Sequence, residues 1–540
     1  MKPTDVTIKD VCGFCGQLTE LNVKDLPQLP HPYEDWEDSP IPELSEERKA
    51  EVSTLLDGVV GVRIPMPKSE EEKEELVRKF LAGLEKLFSR EDNWTFLQPF
   101  ILSMENCIKC NTCADACPIF QESGRAEIYR PLFRAETLRR IAKKQQSRLP
   151  GIFQKFSGND VEVTWETVAR LADSAYRCTL CRRCAQHCPM GVDNGLITRE
   201  IRKLFSQELG IHPPELHEDG TVKQLKVGSS TGMNALAFKD VIEFAEEDIE
   251  ERTGLKIKIP IDKKGADILV MHNAGEFLSW PENLQAFAII FEAAGLDWTL
   301  SSDIAGYDSV NYGLFYDDVQ YARVTLQHAK VARDLGVKKV CMGECGHAHK
   351  AFMAVGDRMW IDDLNTPRES AFTLLDELIK TGRIQVDPSR NNFPVTLHDP
   401  CNTTRSMGIV QPQRDVLKAI CPQFREMEPH GVFNYCCGGG SGFAIMNSNN
   451  FPDWRVRIAS RRKFRQILEA FQPEIDDKEL PKYVCAPCSN CKGAMRDLLN
   501  YYQAWDRCKI HYGGLVELVV NAMTTVREGF IDWDEVAMMM

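Results

Sequence analysis

The chain reads His398-Asp-Pro-Cys401, then Asn434-Tyr-Cys436-Cys437-Gly-Gly-Gly440, then Cys485-Ala-Pro-Cys488-Ser-Asn-Cys491. One isolated cysteine, a vicinal pair before three glycines and a closing cluster supply more soft ligands than a single mononuclear metal needs. Apolar segments lead into the first and last groups, PVTL before His398 and KYV before Cys485, and the helical stretch WRVRIASRRKFRQILEAF precedes the last. Strands alternating with helices predict α/β units with mainly parallel strands. In such units ligand residues sit on loops at the carboxyl ends of the strands, the position expected of Cys401 and Cys485.

Residues 266–350 repeat the plan of 394–495. DILVMH ends in His272-Asn273-Ala274-Gly275 where PVTLHD ends in His398-Asp399-Pro400-Cys401, so Gly275 stands in the place of Cys401. Ser301-Ser302 precede Asp303-Ile304-Ala305-Gly306 where the second half has its cysteine pair and glycines, and KKVCMGEC, ending at Cys345, matches KYVCAPC, ending at Cys488. Three landmarks in one order mark a duplication. Serine hydroxyls are poor replacements for thiolates as iron ligands, which predicts one metal site in this domain and not two.

Upstream stand Cys107-x-x-Cys110-x-x-Cys113-x-x-x-Cys117-Pro118 and Cys178-x-x-Cys181-x-x-Cys184-x-x-x-Cys188-Pro189. Each is a bacterial-ferredoxin run, in which three close cysteines hold one cubane and the fourth, before proline, ligates the other. The spacing predicts one [4Fe-4S] cluster on Cys107, Cys110, Cys113 and Cys188, and a second on Cys178, Cys181, Cys184 and Cys117. Helical periodicity between the runs, in RPLFRAETLRRIAKKQQ and WETVARLADSAYR, points to a helical ferredoxin module. Arg177, Arg182 and Arg183 crowd the second run, where they are expected to raise its potential or receive a donor. Near iron and sulfide, Gly438, Gly439 and Gly440 are expected to take positive φ and let the backbone come close.

The predicted layout is an extended arm over 1–65, a helical ferredoxin domain over 66–220 and a duplicated cysteine-rich α/β domain over 221–540. The arm is rich in proline and acidic residues, a composition suited to lying across a partner. Its Cys12 and Cys15 form a lone CxxC without a second pair. Ser69 and Glu72 have capping-box spacing ahead of a stripe of Leu76, Phe80, Leu84 and Leu87. Twenty cysteines without a basic n-region or apolar h-region at the start favour a reducing compartment and metal-bound thiolates. A net charge of -14 argues against nucleic acid, and no apolar run reaches membrane-spanning length. Cys421 and Cys508 read as structural thiols.

Two ferredoxin runs followed by a CCG-type cysteine domain resemble the catalytic subunits of heterodisulfide reductases, and most of all their K-subunit (DsrK-like) branch in the membrane complex coupled to dissimilatory sulfite reduction. The resemblance implies a noncubane [4Fe-4S] cluster on Cys401, Cys436, Cys437, Cys488 and Cys491. Cys485 competes for the closing positions, and Cys345 of GECGHAHK lies near the site. It further implies an oxidoreductase acting on a disulfide or trisulfide of a small sulfur-carrier protein (DsrC-like). Electrons would be exchanged with a haem-containing, quinone-linked membrane subunit, and the chain would sit in the cytoplasm at the inner face of the membrane. His398, His347 and His349 are candidate proton donors. The rival reading is an electron-transfer subunit of a glycolate- or glycerol-phosphate-type dehydrogenase, whose partners keep both CCG repeats.

Overall fold

The computed structural model describes residues 6–11, 17–41, 44–52, 54–59, 61–146, 161–303, 308–443, 445–446 and 452–539. Cys12 and Cys15 lie outside them. The helical module starts where sequence places it: Ser69 caps helix Glu70–Leu87, its Oγ accepting from the Glu72 N–H at 3.2 Å, an interaction worth about 1 kcal/mol. Phe80, Leu84 and Leu87 are buried on one face, with Phe80 stacked on Phe205. Helices Pro131–Gln146 and Trp165–Ala175 fill the space between the two cysteine runs. Helix Asn194–Leu209 ends at Gly210, whose φ of 66° is the left-handed conformation of a glycine cap.

Two four-stranded sheets follow, and every pairing in them is parallel. The first holds β1 (Ile268–Met271), β2 (Trp298–Thr299), β3 (Lys339–Met342) and β4 (Arg368–Ser370) in the order β2-β1-β3-β4. The second holds β5 (Val395–Leu397), β6 (Phe424–Arg425), β7 (Lys482–Cys485) and β8 (Ile510–Gly513) in the order β6-β5-β7-β8. The same order twice over is the duplication inferred from the sequence. It makes β1 the counterpart of β5 and β3 that of β7. Gly275 follows the end of β1 by as many residues as Cys401 follows β5, and Cys345 follows β3 as Cys488 follows β7. The halves share one apolar core, in which Ile268 and Val270 join Val395, Leu397 and Val516.

Val6, Val11, Leu56 and Val62 of the amino-terminal segment pack into the core of the helical module, and the stretch between them lies on the chain's own carboxyl-terminal half. Leu29 and Tyr33 join the apolar cluster of Phe464, Leu498 and Tyr502, and the Tyr33 hydroxyl donates to the Tyr502 carbonyl at 2.8 Å. Arg461 donates to the Pro27 carbonyl. Tyr33 and Trp36 of the arm find apolar cover within this chain, seated on Phe464, Tyr501 and Tyr502.

Candidate metal centres

Three groups of thiols come together. Cys107, Cys110, Cys113 and Cys188 line one small cavity, and Cys117, Cys178, Cys181 and Cys184 line another. The interleaving arises because each run ends in a short helix followed by Cys-Pro, which turns the fourth cysteine away from its own run toward the other. Leu132 packs between Cys113 and Cys184 and separates the cavities. Cys110 is exposed while Cys184 is buried, so the first site faces solvent and the second faces the interior. Burial, reinforced by neighbouring thiols, pushes Cys113 up to about 11 and Cys117 up to about 12. Bare thiols so placed would be inert; bound iron is what makes such groups thiolates.

The third group gathers at the carboxyl ends of β3, β5 and β7. Cys437 and Cys491 have sulfurs 3.4 Å apart, and His398 points a ring nitrogen at both. Cys488 contacts Cys491 and Cys345, and Cys436 contacts Cys437. Cys401 opens the helix Cys401–Met407 beside them. Hydrogen bonds from Cys436 and Cys491 hold Cys437 well below the usual thiol range, as those from Cys345 and Cys491 hold Cys488. Backbone N–H groups of Gly438 and Gly439 donate to Cys436 and Cys437 Sγ at 3.3 and 3.4 Å, the direction of bonding that stabilises thiolates.

Cys345 and Cys488, counterparts in the two halves, therefore meet, and Cys345 joins the group from the half that has no cysteine pair. Cys485 does not. It is the last residue of β7, paired with Leu397 and Gly513, and its side chain faces the apolar core with Cys421. Strand alternation decides this: Val484 and Cys485 point to opposite faces, and the site lies beyond the strand end. Cys508 touches the Tyr33 hydroxyl, away from the site.

The three glycines make close approaches, but to protein atoms. Only Gly438 has positive φ, at 84°. A Cβ on Gly438 would collide with Ser460 Oγ, one on Gly439 would meet the Asn490 carbonyl at 2.6 Å, and one on Gly440 the Thr179 carbonyl at 2.7 Å. Gly440 thus carries the cysteine pair onto the second ferredoxin run, where Cys436 Sγ donates to Thr179 Oγ1 at 3.3 Å and contacts Cys181. The three arginines of that run are not an exposed docking patch. Arg177 is buried between Asp57 and Asp173, Arg182 pairs with Asp193, and Arg183 donates to the Phe433 and Ala116 carbonyls.

The histidines differ. His349 is held at both ring nitrogens, by the Cys345 carbonyl and Ser370. His347 Nε2 accepts from the Asn311 N–H. Among the described residues His398 has no hydrogen-bond partner at either nitrogen; it is 1 % exposed, and burial holds its pKa well below the usual value.

The charge around the thiols fits a resident iron–sulfur group. Arg405, Arg183 and Arg202 are buried, yet among the described residues their hydrogen-bond partners are carbonyl and hydroxyl oxygens and none is a carboxylate. Buried cations require compensating negative charge, and clustered thiolates supply it. Sequence reading missed Arg405, although it stands four residues after Cys401 on one helix and so shares its face.

The comparisons with known proteins follow the same division. A 4Fe-4S dicluster domain matches residues 103–192, and a cysteine-rich (CCG) domain matches residues 395–496. The chain is 27% identical to an Hdr-like menaquinol oxidoreductase iron-sulfur subunit 2 of Archaeoglobus fulgidus, over 80% of this chain and 81% of that one. It is 26% identical to the corresponding subunit of Archaeoglobus profundus, over 80% and 81%. A subunit of the dihydromethanophenazine:CoB–CoM heterodisulfide reductase from Methanosarcina acetivorans is 23% identical over 74% of this chain and 89% of its own length. No solved structure matches the chain. Among the described residues no helix is long and apolar enough to cross a membrane.

Proposed function

We propose that this chain moves electrons between a quinone-linked membrane partner and the cysteine site of its second half, where an S–S bond of a small sulfur-carrier protein (DsrC-like) is opened or formed. The observation that carries this reading is the contact between Cys181 of the second ferredoxin run and Cys436 of the CCG pair. With the exposed Cys110 at the other end, the thiol groups form one series from the surface to the third site. Two cubane clusters on the ferredoxin cysteines, and a noncubane cluster on Cys401, Cys436, Cys437, Cys488 and Cys491 with Cys345 beside it, would supply one-electron carriers and an iron that accepts a substrate sulfur.

The chain's own groups do the remainder. Opening one S–S bond consumes two electrons and two protons. Burial favours neutral His398, and among the described residues neither of its ring nitrogens has a hydrogen-bond partner; it would donate an N–H hydrogen bond to a sulfur held against Cys437 and Cys491. His349, engaged on both sides, serves as a brace. A cavity of about 390 Å³, lined by Asn273, Gly275, Trp280, Ser489 and Asn490 among others, lies against this site: Asn273 Nδ2 donates to Cys345 Sγ at 3.4 Å. Its size suits a short peptide arm.

The names of the archaeal relatives, menaquinol oxidoreductase subunits, support a quinone-linked complex; a haem-containing subunit at the inner face of the membrane as the electron partner is part of the same proposal. Partners of the dehydrogenase type usually keep both CCG repeats, so Gly275 and Ser301-Ser302 in the first half count against that alternative. Replacement of Cys437 by Ser tests the reading: iron should fall from about twelve to about eight per chain, with the cubane signals kept and reduction of a carrier-protein trisulfide abolished. Full iron with full activity would refute it.

A further inference from the structure

Three buried arginines cross the contact between the two domains: Arg183 reaches the Phe433 carbonyl, Arg202 reaches Ser441, and Arg405 reaches back from the CCG side. Arg405 is 8 % exposed. Its Nη1 donates to the Cys181 carbonyl at 2.9 Å, its Nε to the Val432 carbonyl at 2.6 Å, and its Nη2 to the Asn434 carbonyl. One planar guanidinium thus spans the second ferredoxin run and the segment that leads into Cys436. Gly440, with the Thr179 carbonyl against it, closes the same junction from the other side.

We propose that Arg405 is a positioning residue for electron transfer between the second ferredoxin site and the CCG site, acting by fixing Cys181 against Cys436. The proposal rests on the reading of both sites as iron–sulfur centres, and it goes beyond that reading by assigning Arg405, the bridging arginine on the CCG side, a role in setting the separation of the two centres. In the step concerned, one electron leaves the centre held by Cys117, Cys178, Cys181 and Cys184, which is oxidised, and reaches the centre held by the CCG cysteines, which is reduced. No atom or proton changes place.

The geometry explains why arginine is required. Its donors form a rigid planar fork, and three carbonyls from two loops lie in reach of it; a lysine ammonium is a point charge on a flexible stem. A purely electrostatic role would be met by either cation. Positioning is met by one alone.

The experiment uses the purified holoprotein and needs no substrate. Arg405→Met and Arg405→Lys are compared with wild type for iron content, for the midpoint potential of each centre, for magnetic coupling between the centres in electron paramagnetic resonance, and for the freeze-quench rate at which electrons from dithionite-reduced cubanes reach the CCG site. Iron content should be unchanged. In Arg405→Met the coupling should weaken and the rate should fall several-fold, because electron tunnelling decays exponentially as the two centres move apart. Arg405→Lys should recover only part of the rate. If Arg405→Met lost iron, Arg405→Lys alone would decide. A wild-type rate and coupling in Arg405→Lys, or an unchanged rate in an iron-replete Arg405→Met, would overturn the proposal. No transfer between the sites in wild type would instead sink the function proposed above.

Discussion

The two halves of the α/β domain end their first strands in the same place and do opposite things there. After β5, His398 is left without a hydrogen-bond partner beside Cys437 and Cys491, and Cys401 opens a helix at the thiol group. After β1, His272 is bound to Glu276 at 3.0 Å, and the place of Cys401 is taken by Gly275. A Cβ there would lie 2.8 Å from the Trp280 ring, so an indole fills the space a ligand side chain would need. Ser302 turns its hydroxyl to Asp262 and not to the loop after β1. A duplicated scaffold loses a metal site by refilling it with packed and hydrogen-bonded side chains, and the loss of the ligands is only half of that change.

Four experiments would break or sharpen this contrast. The largest difference is expected between Cys401→Ser and Ser301→Ala. The first should remove the CCG-site signal and about four irons per chain, and the second should leave iron and spectra unchanged. Next come Cys345→Ser and Cys485→Ser, compared by spectrum and thermal unfolding. Cys345→Ser should alter the CCG-site signal because its thiol contacts Cys488, whereas Cys485→Ser should spare the signal and cost about 1 kcal/mol as a core polar substitution.

Gly275→Ala should destabilise the fold by about 1–3 kcal/mol through overpacking against Trp280. In a double-mutant cycle, Trp280→Ala should relieve that penalty; additive losses would show that the indole does not fill the site. The smallest effect concerns pH. Asp308 braces the emptied loop by accepting from Ala274, Val310 and Ser230, and burial raises its pKa above 3.8. The folded state therefore holds its proton more tightly than the unfolded one. Its contribution is full below pH 3.8 and is lost as pH rises through the higher folded value. Asp308→Asn should flatten that slope in unfolding measurements. Asp399, which stands in the second half where Asn273 stands in the first, is ion-paired to Arg414.

Much of this was legible in the residues. The interleaved ferredoxin runs follow from local spacing, because cysteines two or three residues apart must cap one small centre. The parallel α/β plan and its duplication follow from the alternation of apolar strands with helices and from three landmarks kept in order. Strand direction then puts Cys401 and Cys488 at one edge. Legibility fails where position depends on how separate segments pack. Cys485 and Cys488 look alike in sequence, and only the pairing of β7 with β5 and β8 turns Cys485 into the core.

The sequence by itself therefore determined the ligand types, their grouping and the fold class, since these depend on short-range spacing and on hydrophobic period. Only the tertiary structure decided which cysteines meet. It seated the arm on its own chain, brought Cys345 across from the emptied half, and placed Cys436 on Cys181 under Arg405. Those contacts join residues hundreds of positions apart, and no local pattern encodes them. Close packing does, through a carbonyl that requires glycine at 440 and an indole that requires glycine at 275.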